Sequence, residues 1–194
     1  PAPPGSKQLM IICSGNRIYP VDIEAFRKDA ELKAKTIVNR FNLNRDPAKG
    51  IDPEKFTQQY EKLKNPTDYF DVEYYVQGNR WPRFRLIPRE NRGAIGKELV
   101  NPRSRLRRWF NGVDFNKYYA RFYVLPDSFD VYVLARRFFS NNKILAGWDP
   151  QTENWTLTSH VPGGIELGPP RPKPPPPPPG SKPPAKPKPP NLID

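Results

Sequence analysis

The sequence predicts an α+β domain: a single mixed sheet with a βαβ crossover and flanking helices, followed by a disordered proline-rich tail. Three observations predict it. The stretch Tyr118 to Trp148 runs strand, helix, strand, a spacing that joins parallel strands through a helix. Two alternating apolar runs flank Gly78-Asn79, a two-residue hairpin turn. Of the 27 prolines, 14 fall between Pro169 and Pro190, where a packed core has nothing to build on.

Taken in order, Pro1 to Lys7 is a Pro/Gly/Ser lead, read as the end of a linker. Leu9 to Cys13 is an apolar strand, Ser14-Gly15-Asn16 a turn, and Arg17 to Pro20 the return strand. Asp22 is an N-cap for a helix whose stripe is Ile23, Phe26, Ala30, Ile37, Val38 and Phe41. Asp52-Pro53-Glu54 opens a short helix with a capping Asp and Pro at its first position. Tyr69 to Gln77 alternates like a half-buried strand. Trp81 to Ile87 returns from the hairpin, and Pro82 and Pro88 place it at a sheet edge. Arg89 to Val100 reads as loop. Asn101-Pro102 opens a third helix with Leu106, Trp109 and Phe110 inward and Gly112 as its stop. Tyr118 to Leu125 is nearly continuous in apolar residues, as in a central strand. Pro126-Asp127-Ser128 caps a helix from Phe129 to Asn141. Strands Lys143 to Trp148 and Asn154 to Ser159 follow, and Pro162-Gly163-Gly164 ends the fold.

The 194 residues thus divide into a linker end (1–7), one α+β domain (8–167) and a tail (168–194) that reads as extended polyproline II with no core of its own. The longest apolar runs are five residues, so no stretch is long enough to span a bilayer as a helix. No signal-peptide pattern opens the chain, and an anchor is expected upstream of Pro1. One Cys rules out a disulfide framework, and Cys13 at the end of an apolar run is expected to be a buried core thiol. One His and no ligand spacing give no metal site, and no cofactor motif is present.

The net charge is +12, and it is concentrated. Arg80 to Arg108 contributes +8 and the tail +4, so the remainder is neutral. Such a pattern suits an acidic partner: an anionic polymer, a lipid surface or nucleic acid. In the Arg-rich segment, Arg80, Arg83, Arg85, Arg105, Arg107 and Arg108 interleave with Trp81 and Trp109. Guanidinium on phosphate and rings on bases is how single strands are held; the plainer reading is a solvated charged face with the rings inward. Ala120 to Leu125 lacks the Gly and basic start of an RNA-recognition strand. Arg171-Pro172-Lys173-Pro174-Pro175-Pro176-Pro177 fits a basic residue followed by PxxP, with Arg171, Pro174 and Pro177 as docking residues, although a semi-rigid spacer matches as well.

Catalytic chemistry finds little support. His160, Ser128 and Asp127 can be written as a triad, but Asp127-Ser128 is explained by helix capping. No GxSxG or HExxH occurs, and Gly93-Ala94-Ile95-Gly96-Lys97 has Glu98 where a phosphate loop needs Ser or Thr. A non-catalytic chain is expected.

The parts Cys13-Ser14-Gly15-Asn16-Arg17-Ile18, a helix opened by Asp22, and Pro126-Asp127-Ser128-Phe129 leading into a helix and Gly147-Trp148 resemble the periplasmic domain of the ExbD/TolR biopolymer-transport family. The same Pro-Asp-Ser-Phe and Gly-Trp elements resemble C-terminal domains of membrane-anchored bacterial proteins. The resemblance runs from Leu9 to Trp155, with 46–112 as a large departure. That family's membrane Asp lies in a transmembrane helix outside this sequence, so no active residue carries over. The resemblance implies a non-catalytic binding or scaffolding domain on the periplasmic side of the envelope, tethered by an upstream membrane segment, that dimerises or contacts other envelope proteins. The rival expectation is a nucleic-acid-binding module using the Arg-rich segment 80–108.

Overall fold

The computed structural model describes residues 5–171. It is an α+β fold with two sheets and four α-helices. The first sheet is mixed. Strand β1 (Lys7–Ser14) pairs antiparallel with β2 (Arg17–Val21) and parallel with β5 (Tyr118–Val124), and β5 pairs parallel with β6 (Ala146–Pro150), giving the order β2-β1-β5-β6. Helix α4 (Phe129–Asn141) connects β5 to β6 as the crossover reading required. Its Tyr132 and Phe139 rings meet Phe122 of β5 edge-on, at 5.5 and 5.2 Å between centroids.

The single sheet expected from the sequence is overturned by a second, antiparallel one. Here β3 (Phe70–Gln77), β4 (Trp81–Pro88) and β7 (Leu157–His160) lie in the order β3-β4-β7. The hairpin cannot extend the first sheet along β2, because Ile18 of β2 exchanges two backbone hydrogen bonds with Ala94 there. The edge position expected for Trp81 to Ile87 is overturned as well: β4 is the middle strand. Its prolines bracket the pairing rather than interrupt it. Register with β7 runs only over Arg83–Leu86, between Pro82 and Pro88, and Pro82 still accepts the Val161 N–H through its carbonyl.

Two cores result. One gathers Leu9, Ile11, Cys13, Ala120, Phe122 and Val124 of the first sheet against α4, the 3-10 turn Gly96–Leu99 and α3 (Arg105–Asn111). The other packs α1 (Ile23–Arg40) and α2 (Pro53–Tyr60) with Ile12, Tyr19 and Val21 and the inner face of the second sheet. Phe26 of α1 meets Phe70 and Phe84 there. Asp22 caps α1 by accepting the Ala25 N–H, and Asp52 caps α2 by accepting that of Lys55. The chain does not stop packing at Gly163-Gly164: Leu167 is buried, and Gly168 donates its N–H to Ile51 O. Cys13 is fully buried, and burial pushes its thiol up to about 12.

Candidate functional site

Asp127 and Ser128 fall in a short 3-10 turn, Pro126–Ser128, at the head of α4. Gly15 donates its N–H to Asp127 Oδ2 and Asn16 donates its own to Ser128 Oγ, both at 2.9 Å. Ser128 Oγ–H in turn donates to Asp127 Oδ1 at 2.7 Å. The capping role assigned to Ser128 is corrected: its side chain makes no cap bond, and Asn16 Oδ1 accepts the Val131 N–H instead. The two stretches that carry the family resemblance, Ser14-Gly15-Asn16 and Pro126-Asp127-Ser128, are thus one hydrogen-bonded knot. His160 belongs to the other sheet, opposite Arg83, so no triad forms around Ser128.

The arginines of the basic segment separate into three places. At the β3–β4 hairpin, Arg80 pairs with Glu166 and donates to Pro169 O, while Arg171 pairs with the same Glu166 and lies over the Trp81 ring at 4.7 Å. The hydrogen bond from Arg80, with both guanidiniums near, holds the Glu166 carboxyl below the usual range. Arg83 and Arg85 stand on the outer face of β4; Arg85 lies over Tyr75 and pairs with Glu73 across the strand. Arg105, Arg107, Arg108 and Trp109 are on α3. Arg105 pairs with Asp68 and covers Tyr69. Arg107 donates to Leu99 O and lies over Phe138 at 4.5 Å. Arg108 donates to Arg103 O. Trp109 and Arg105 line a cavity of about 390 Å³ against Phe26, Tyr69, Asp22 and Asp29. Trp81 and Trp109 are therefore at different sites, and no row of alternating rings and guanidiniums forms. Pro174 and Pro177 lie outside the described residues.

The feature that sequence reading missed is the edge of β6, which no other strand covers among the described residues. Ala120 donates its N–H to Leu145 O and Gln151 donates to Val124 O, so the odd-numbered residues face β5. Ala146 and Trp148 therefore turn their N–H and C=O groups outward from the sheet. Trp148 is level with Phe122 on the α4 side and 47% exposed. It stacks on Tyr132 at 5.3 Å and meets Phe129, 53% exposed, at 6.2 Å. Leu145 beside it is also exposed. The signal was present in Leu145-Ala146-Gly147-Trp148-Asp149-Pro150, a short strand with apolar residues beyond what one covered face requires.

Among the described residues, no cluster of three His, Cys, Asp or Glu is arranged to hold a metal ion, and no helix is long and apolar enough to cross a membrane. No protein-family model, curated protein or solved structure matches this chain.

Proposed function

We propose that this chain is a non-catalytic binding domain of a larger membrane-anchored bacterial envelope protein, similar to the ExbD/TolR periplasmic domain, and that it takes an extended segment of a partner protein along β6. The observation that supports it best is the open edge. An unpaired strand is a template for another strand, and soluble domains usually blunt it with charge or a cover. Here the outward backbone of Ala146 and Trp148 stands beside the exposed side chains of Phe129, Leu145 and Trp148 itself, which gives side-chain contacts to an added strand alongside its main-chain bonds. The envelope setting rests on the resemblance of the Ser14-Gly15-Asn16 and Pro126-Asp127-Ser128-Phe129 elements, now seen to be bonded to one another.

The test is site-specific photo-crosslinking in the membrane-anchored full-length protein. A crosslinking residue at Leu145 gives a discrete adduct with an envelope protein, and one at Glu54 of α2 does not. Ala146→Pro removes an outward donor without touching the β5 ladder, so it abolishes the adduct and leaves circular dichroism unchanged. An adduct that survives Ala146→Pro overturns the reading. So does tight binding of single-stranded DNA by the full chain that loses about one unit of salt slope for each of Arg83 and Arg108 replaced.

A further inference from the structure

The turn Gly96–Leu99, α3 and α4 form one continuous outer surface. Arg107 ties α3 to the turn through Leu99 O and to α4 through the Phe138 ring. Leu134 of α4 lies so close to Gly96 that a Cβ there would meet its methyl at 2.6 Å. On this surface, Lys97, Arg103, Arg107 and Arg137 make no ion pair among the described residues. Glu98 and Asp130 are the acids of the turn and α4, and Glu98 is engaged by the Ile95 N–H. Helix α1 is built the opposite way: Arg27, Lys33 and Lys35 each pair with an acid one turn earlier. Amid the unpaired cations stand Val100, 78% exposed, and Leu134, 48% exposed. Exposed aliphatic side chains ringed by uncompensated cations are the composition of a surface that rests on anionic lipid.

We propose that this surface lies against an anionic bilayer, with Lys97, Arg103 and Arg137 meeting headgroup phosphates and Val100 and Leu134 entering the acyl boundary. Nucleic acid fits it less well. Val100 and Leu134 offer no ring for a base, and the two tryptophans of the basic segment are elsewhere, Trp81 under Arg171 and Trp109 against the α1 cavity. The occupant is different from that of β6, and the two contacts are independent.

The experiment is co-sedimentation of the full chain with vesicles of phosphatidylcholine, with and without phosphatidylglycerol. Binding is expected to the anionic vesicles alone. Lys97→Gln/Arg137→Gln lowers the partition coefficient about thirtyfold, since each cation near an anionic surface contributes about 1 kcal/mol. Lys28→Gln/Lys64→Gln carries the same change in net charge at exposed positions off this surface and leaves binding within about twofold. Val100→Ser/Leu134→Ser removes the part of the binding that survives high salt. All six side chains are exposed, and circular dichroism checks that the fold is kept. Equal loss in the two charge variants overturns the proposal, as does equal binding to both vesicle types. No effect of the serine variant overturns the insertion, and displacement of the vesicles by an oligonucleotide bound through Lys97 and Arg137 transfers the surface to nucleic acid.

Discussion

The side-chain oxygen of Asn16 accepts the backbone N–H of Val131 at 3.2 Å, so the turn of the first hairpin caps the helix of the crossover. The same residue donates its own N–H to Ser128 and sits at φ 52°, in the left-handed region that Asn tolerates better than most residues. Two effects are therefore separable. Asn16→Gly keeps the backbone and loses the bond to Val131, and costs about 1 kcal/mol, the net value of one hydrogen bond. Asn16→Ala loses both and costs about 2 kcal/mol or more. Urea denaturation of the two variants checks the order; equal stability of Asn16→Ala and the parent would remove the cap from the account.

Phe122 fills the space between β5 and α4. It is fully buried against Tyr132 and Phe139. Phe122→Ala costs about 3–5 kcal/mol, a large share of the stability of a domain this size. A midpoint moved by less than the equivalent of about 1 kcal/mol would mean that the site collapses around the cavity.

How far the fold was legible depends on where the pattern lives. Asp22, Asp52-Pro53 and the α1 stripe are local, and α1, α2 and α4 fell where they were expected, except that Phe41, read as the end of the stripe, is the C-cap of α1 and exposed. The continuous apolar run Tyr118 to Leu125 marked an interior strand, and β5 lies between β1 and β6. The division into two sheets was not legible, because it turns on long-range pairing. Pro82 and Pro88 were read as barriers to a second neighbour, yet β7 needs only the four residues between them. The bridge from Ile18 to Ala94, which closes β2 to the hairpin, comes from a segment with no strand signal. The basic segment misled for a similar reason. Nearness in sequence between Arg85 and Arg105 does not survive the loop and 3-10 turn that separate β4 from α3.

The end of the packed body can be set by truncation. Gly168 bonds to Ile51 O, Pro169 O accepts from Arg80, and Arg171 pairs with Glu166 over Trp81. A chain ending at Arg171 should be more stable than one ending at Leu167 by about 1–2 kcal/mol, the net value of one or two such bonds. Thermal melts compare the two directly. Identical melting temperatures would show that residues 168–171 add nothing to the body.

Alkaline pH destabilises the fold through its buried thiol and phenols. Burial raises the Cys13 thiol from 9.0 to about 12, and burial also raises the Tyr60 and Tyr74 phenols above their usual 10.0. In each case the folded state holds its proton longer than the unfolded chain. Such groups contribute their full stabilisation below the unfolded value and lose it as pH rises toward the folded one. Stability should therefore be flat up to pH about 9 and fall through about 12, with the Cys13 part changing by about 1.4 kcal/mol per pH unit. Replacing Cys13 by Ala separates the thiol from the phenols. The variant is less stable at neutral pH, having lost a buried sulfur, but its decline above pH about 9 is shallower by that slope. Denaturant titrations at stepped pH measure both curves, and tyrosinate absorbance reports the phenols independently. Parallel curves for the parent and Cys13→Ala would sink the assignment, as would rapid modification of Cys13 by a thiol reagent in the folded protein, because a thiol held neutral in the core is protected from attack until the chain opens.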